Sequence, residues 1–85
     1  MTDLEMTRLC AEALGVNPEY RWNPLHDDAQ AMALVKKMDL SIDRGGQQTA
    51  SPWWCARNGT IRRVNADLNR CIVECVAKMW KERGK

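Results

Sequence analysis

The run from Trp53 to Val64, in which Trp53-Trp54-Cys55-Ala56-Arg57 and Thr60-Ile61-Arg62-Arg63-Val64 flank the pair Asn58-Gly59, constrains this chain more than any other stretch. Asn-Gly between aromatic and β-branched runs signals a β-hairpin, because a two-residue type I′ turn needs positive φ at both central positions. With Asn58 and Gly59 at the tip, Arg57 is expected to pair with Thr60, Ala56 with Ile61, Cys55 with Arg62 and Trp54 with Arg63. Strand side chains alternate, so one face would carry Trp54, Ala56, Ile61 and Arg63, and the other Trp53, Cys55, Arg57, Thr60, Arg62 and Val64. Alternation alone does not choose the buried face. By composition, Trp54 with Ile61 is the more core-like set, and Trp53 with Arg57 and Arg62 the more outward one.

The rest of the chain reads as helix laid around this hairpin. Thr2-Asp3-Leu4-Glu5 forms a capping box, Met6, Leu9, Cys10, Ala13 and Leu14 gather on one side at 100° per residue, and Gly15 supplies the stop. A first helix is expected over Asp3 to Leu14. Val16 to Trp22 is a loop whose aromatics, Tyr20 and Trp22, are expected to close over the core. Asn23 then caps and Pro24 opens a second helix, expected to run to Lys37, with Asp27 and Asp28 in its first turn and Lys36 and Lys37 near its end.

From Asp39 the period changes to two, predicting a strand over Asp39 to Arg44 before the breaker Gly45-Gly46, and Gln47 to Pro52 reads as a loop into the hairpin. A final helix is expected from Asn65 or Asp67 to about Arg83. Leu68, Cys71, Ile72, Cys75, Val76, Met79 and Trp80 form its apolar side, and Arg70, Glu74, Lys78 and Glu82 its polar one. The expected fold is therefore a single α+β domain over 1–85, with three helices packed on a small antiparallel sheet in the order α-α-β-β-β-α.

At 85 residues such a domain has a thin core, and with no Phe its bulky apolar volume comes from four Trp and five Met. Hydrophobic residues at 45% and charged ones at 28% fit a globular chain and argue against intrinsic disorder. The net charge of +2 is too small to imply a polyanionic partner, but it is unevenly spread. Residues 1–35 hold two basic against six acidic side chains, a net −4, and residues 36–85 hold eleven against five, a net +6. Such a split can steer a partner, or join two parts of one fold or two subunits. No stretch has the length or apolarity of an export signal or a membrane span, so a soluble protein is expected, with its four cysteines as free thiols in a reducing cytosol.

Chemistry-bearing constellations are weak. Cys71 and Cys75 stand at i and i+4, and Cys55 and His26 could complete a tetrahedral set, but both helix cysteines fall in or beside the apolar arc and His26 on a polar face. No metal and no cofactor is expected. Neither a nucleophile with its base nor a phosphate-binding glycine loop stands out, and Asp27 and Asp28 are explained by the helix dipole, so no enzymatic activity is expected. Aromatic and guanidinium groups share the small sheet, namely Trp53, Trp54, Arg44, Arg57, Arg62 and Arg63. Such a surface can bind a protein partner, a second copy of the chain, or the bases and phosphates of nucleic acid. The candidate contact surface is Trp53, Arg57, Arg62 and Arg63, with a protein partner or self-association expected ahead of nucleic acid.

The order of a helix ending Ala13-Leu14-Gly15, an aromatic loop, Asn23-Pro24-Leu25 with Asp28, a short sheet containing Trp53-Trp54 and a closing helix bearing Ala and Cys covers nearly the whole chain. In this it resembles the small phage and prophage proteins grouped as the phage ABA sandwich domain. The resemblance implies an α/β/α-layered miniature fold, a bacteriophage or prophage origin and hence a bacterial cytoplasm. It carries no activity over to particular residues. The expected role is that of an accessory protein binding a host or phage macromolecule.

Overall fold

The structure is a computed structural model that describes residues 2–16, 22–46, 52–59 and 61–83. Expectations for Tyr20, the 47–51 loop and Thr60 fall outside these residues. The elements are α1 (Asp3–Leu14), α2 (Asp28–Met38), β1 (Ser41–Gly45), β2 (Trp53–Asn58), β3 (Ile61–Asn65) and α3 (Leu68–Arg83). This is an α+β fold in the order α-α-β-β-β-α, as expected.

Helix α1 has the bounds that its caps predict. Thr2 Oγ1 accepts from the Glu5 amide at 3.1 Å, and Gly15, at φ 79°, returns its N–H to the carbonyls of Ala11 and Glu12. Helix α2 starts later than expected. Its cap is Asp27, which accepts from the Gln30 amide at 3.1 Å, while Pro24 to His26 form a turn closed by His26 N–H on the Asn23 carbonyl. That turn buries Pro24 and Leu25, which a helix begun at Pro24 would not do in this way, and Gln30 Oε1 holds the Asn23 amide. At the other end Asp39 adopts φ 52° as the C-terminal cap, and the Leu40 amide bonds back to the Val35 carbonyl. The helix stop thus consumes Asp39 and Leu40, so β1 begins at Ser41 rather than Asp39 and extends to Gly45.

The sheet is antiparallel with β2 in the middle. Its hairpin register differs from the expected one by two residues: Asn58 pairs with Ile61, Arg57 with Arg62, Ala56 with Arg63, Cys55 with Val64 and Trp54 with Asn65. Asn58 is a strand residue, and its Nδ2 donates to the Met38 carbonyl at the end of α2 at 2.9 Å, while Gly59 alone of the Asn-Gly pair has positive φ, at 59°. The amide that would suit a type I′ turn is used instead to tie the hairpin tip to α2. A shift of two preserves which side chains share a face. Ala56 is fully buried, and Ile42, Trp54 and Ile61 pack with it into the core, so this is the inner face, as composition suggested.

The core is organised by α3 rather than by the hairpin. The helix packs on β2 and β3, and α1 and α2 pack on α3 in turn. Asp67 caps it, accepting from the Arg70 amide at 3.3 Å, and Asn65 Oδ1 accepts from the Asp67 amide. Its buried residues are Cys71, Ile72, Val73, Cys75, Val76 and Ala77. Val73 and Ala77 lie outside the apolar arc read from the sequence, and both are fully buried. Helix α1 covers that flank: Cys10 Sγ donates to the Val73 carbonyl at 3.4 Å, Arg70 reaches Asp3 at 3.0 Å, and Trp80 Nε1 donates to Glu12 Oε2 at 3.1 Å. Residue numbers rise together along these three contacts, so α1 and α3 run parallel. No described helix is long and apolar enough to cross a membrane.

Candidate functional site: the outer face of the sheet

Helix α3 takes one face of the sheet, and register assigns Ser41, Asp43, Gly45, Trp53, Cys55, Arg57, Arg62 and Val64 to the other. No described helix covers this outer face. Three of its features are built rather than merely exposed. Opposite Trp53 stands Gly45, and a methyl group at Gly45 would clash with the face of the six-membered ring of the indole. The ring therefore lies across the backbone of β1, a position that only glycine leaves open. Arg57, whose cross-strand partner is Ser41, leans instead along the sheet to Asp43, forming an exposed ion pair at 3.5 Å. Arg62 Nε donates to Cys55 Sγ at 3.2 Å, which carries its guanidinium over the middle of the central strand. Among the described residues no carboxylate pairs with Arg62. Cys55 itself is buried and Val64 beside it is 46% exposed.

Of the candidate contact residues, Trp53, Arg57 and Arg62 share this outer face. Arg63 does not: it pairs with Ala56 on the inner side, and its carbonyl accepts the Cys71 thiol at 3.1 Å. Trp54 and Arg44 are also on the inner side, where the Arg44 guanidinium lies 5.3 Å from the Trp54 ring centre. The pairing of Trp53 with Gly45 and the lean of Arg62 onto Cys55 were not read from the sequence. The adjacent Gly45-Gly46 was the available signal, since a strand glycine often marks a close approach.

The four cysteines are free and buried. Cys71 Sγ donates to the Trp54 and Arg63 carbonyls, and Cys55 lies on the opposite face of the sheet. Burial pushes the Cys10 thiol up to about 12 and Cys75 to about 11, and raises Cys71 as well. Thiols so shifted stay protonated at neutral pH and act as small apolar groups with a weak donor. His26 is exposed in the turn before α2, and among the described residues no three His, Cys, Asp or Glu side chains are grouped to hold a metal ion.

A groove of about 350 Å³ runs between the N-terminal turns of α2 and α3, floored by Ala31, Met32, Leu68 and Ile72. Its carboxylates have structural work: Asp28 accepts from Asn69 Nδ2 at 2.8 Å and Asp67 caps α3. Trp22 is half-buried and packs against the core. Comparison of the chain with protein-family models, with curated proteins and with solved structures gave no match.

Proposed function

We propose that this protein is a non-enzymatic accessory protein of a phage or prophage that acts in the bacterial cytoplasm by binding a macromolecule through the outer face of its sheet. The phage assignment rests on the sequence resemblance. The binding assignment rests on one observation: a sheet covered by helix on one side presents on the other a flattened Trp53, a guanidinium at Arg62 that no carboxylate among the described residues pairs, and an exposed Val64. Tryptophan and arginine are the residue types that dominate binding energy at macromolecular contacts.

The test is recovery of macromolecules from a bacterial lysate on immobilised protein, comparing the parent with Trp53→Ser and with Arg62→Glu, and with Glu82→Gln on the exposed end of α3 as control. A component retained by the parent and the control but lost from both outer-face variants supports the proposal. Equal retention by all four forms refutes it.

A further inference from the structure

We infer that the outer face of the sheet binds single-stranded nucleic acid, with Trp53 stacking a base and Arg62 holding the adjoining phosphate; this rests on the macromolecule-binding role proposed for that face. Because the six-membered ring of Trp53 lies over Gly45, one π face is turned to the backbone of β1 and the other is turned away from the sheet. A flat aromatic ring on a strand is the platform on which unpaired bases stack, and it accepts any base because every base has a π face.

Arg62 supplies the second half. Its Nε–H is engaged by the Cys55 sulfur at 3.2 Å, which fixes the direction of the side chain, while its terminal Nη groups face no carboxylate among the described residues. A guanidinium held by Nε and open at its fork is disposed for two parallel hydrogen bonds to a phosphate. Cys55 lies two residues from Trp53 on the same strand and face, roughly 7 Å along β2, and the Trp53 ring lies one strand aside over β1, so ring and guanidinium stand about 8 Å apart. A base and a neighbouring phosphate of one strand can span that separation.

Charge favours this occupant over a basic one. Asp43, the acidic residue of the face, is neutralised by Arg57, so Arg62 leaves a net positive field there. The face is also poor in apolar anchors for a protein partner. Apart from the flattened Trp53, only Val64 among its eight positions is an exposed large hydrophobic residue.

The test is fluorescence anisotropy of short labelled oligothymidylate and oligouridylate, with a blunt DNA duplex of the same length as comparison. Binding of the single strands should exceed that of the duplex and weaken with salt, with a log–log slope of about −0.7 for each phosphate engaged. Trp53→Ala should weaken it at least about fivefold. Arg62→Gln should lower both affinity and the salt slope, with Arg62→Lys restoring part of each, and Arg63→Gln on the inner side should change affinity by less than Arg62→Gln. Circular dichroism of each variant separates loss of binding from loss of fold, and Arg62→Gln leaves the Trp53 packing untouched should Trp53→Ala fail to fold. No binding of either single strand at low salt overturns the inference, as does equal or tighter binding of the duplex. If a protein is nonetheless retained from lysate through Trp53, this inference fails and the broader proposal stands. Oligonucleotide binding indifferent to Trp53 and Arg62 also overturns this inference, whereas the broader proposal falls only if lysate retention too is indifferent to both residues.

Discussion

Replacing Asn58 by Asp tests the tie between the hairpin and α2. In the structure the Asn58 amide donates to the Met38 carbonyl at 2.9 Å, on the last turn of α2. Asn58→Asp keeps the shape of the side chain but sets an oxygen against that carbonyl. The lost hydrogen bond costs about 1 kcal/mol. A carboxylate at the negative end of a helix dipole adds about 0.3–1 kcal/mol, for a total of about 1.3–2 kcal/mol at neutral pH. For a domain of this size that lowers the thermal midpoint by about 5–16 °C.

The effect also has a pH signature. The new carboxylate is disfavoured in the folded state, so its folded pKa is raised above the unfolded value near ~3.9. The deficit is therefore absent below the unfolded pKa, where the acid form can donate to Met38 again, and it develops as pH rises through the folded pKa. Urea unfolding followed by tryptophan fluorescence, for parent and variant at neutral and at acid pH, measures the difference at each. If Asn58 instead occupied a type I′ turn, Asp-Gly would serve as well as Asn-Gly, and the variant would match the parent at both pH values. A difference below about 0.3 kcal/mol at neutral pH, or a deficit that persists in acid, refutes the tie.

Three further outcomes are expected. Gly59→Ala places a side chain at φ 59° and should cost about 1–2 kcal/mol in urea unfolding, although open space surrounds the position. Ala77→Leu, at a fully buried site on the flank of α3 that α1 covers, should destabilise by about 1–3 kcal/mol, whereas the same change at the exposed Ala33 should be nearly neutral. The contribution of the buried thiols to stability should be constant below pH 9, their ordinary value, and be lost as pH rises toward 11–12, because the unfolded chain loses its Cys10 and Cys75 protons first. Chemical unfolding at graded alkaline pH measures this, and substituting both cysteines by Ala should flatten that part of the fall.

Much of this fold is legible in the chain where local chemistry has a single use. Thr2, Glu5 and Gly15 are committed to ending a helix, and α1 has the bounds they predict. The hairpin faces survive a two-residue error in register because alternation depends only on parity. Asn58 is a tether rather than a turn residue, and the two uses of its amide look alike in sequence because only the position of Met38 decides between them. Asn23-Pro24 was a plausible helix start, but the burial of Leu25 and the stronger carboxylate cap at Asp27 moved it. The burial of Val73 and Ala77 needed knowledge of α1's position, since a helix covered by sheet and by helices has no single apolar stripe to read. On the outer face the residue types were legible. Their arrangement was not, because the pairing of Gly45 with Trp53 joins strands that residues 46–52 separate in the chain.

The placement of α3 bears on when this protein can acquire a structure at all. A ribosome delivers α1, α2 and the three strands before α3, yet α3 supplies the surface on which the sheet, α1 and α2 pack. Until it emerges, the inner face of the sheet and the apolar sides of both earlier helices have no common ground, and the nascent chain holds only local turns and fraying helices. Folding should then arrive in one late, cooperative step. During synthesis the hairpin, with its paired tryptophans, is the segment that most needs shielding from neighbouring chains, and the consecutive arginines of β3 give that exposed edge a charge that discourages association.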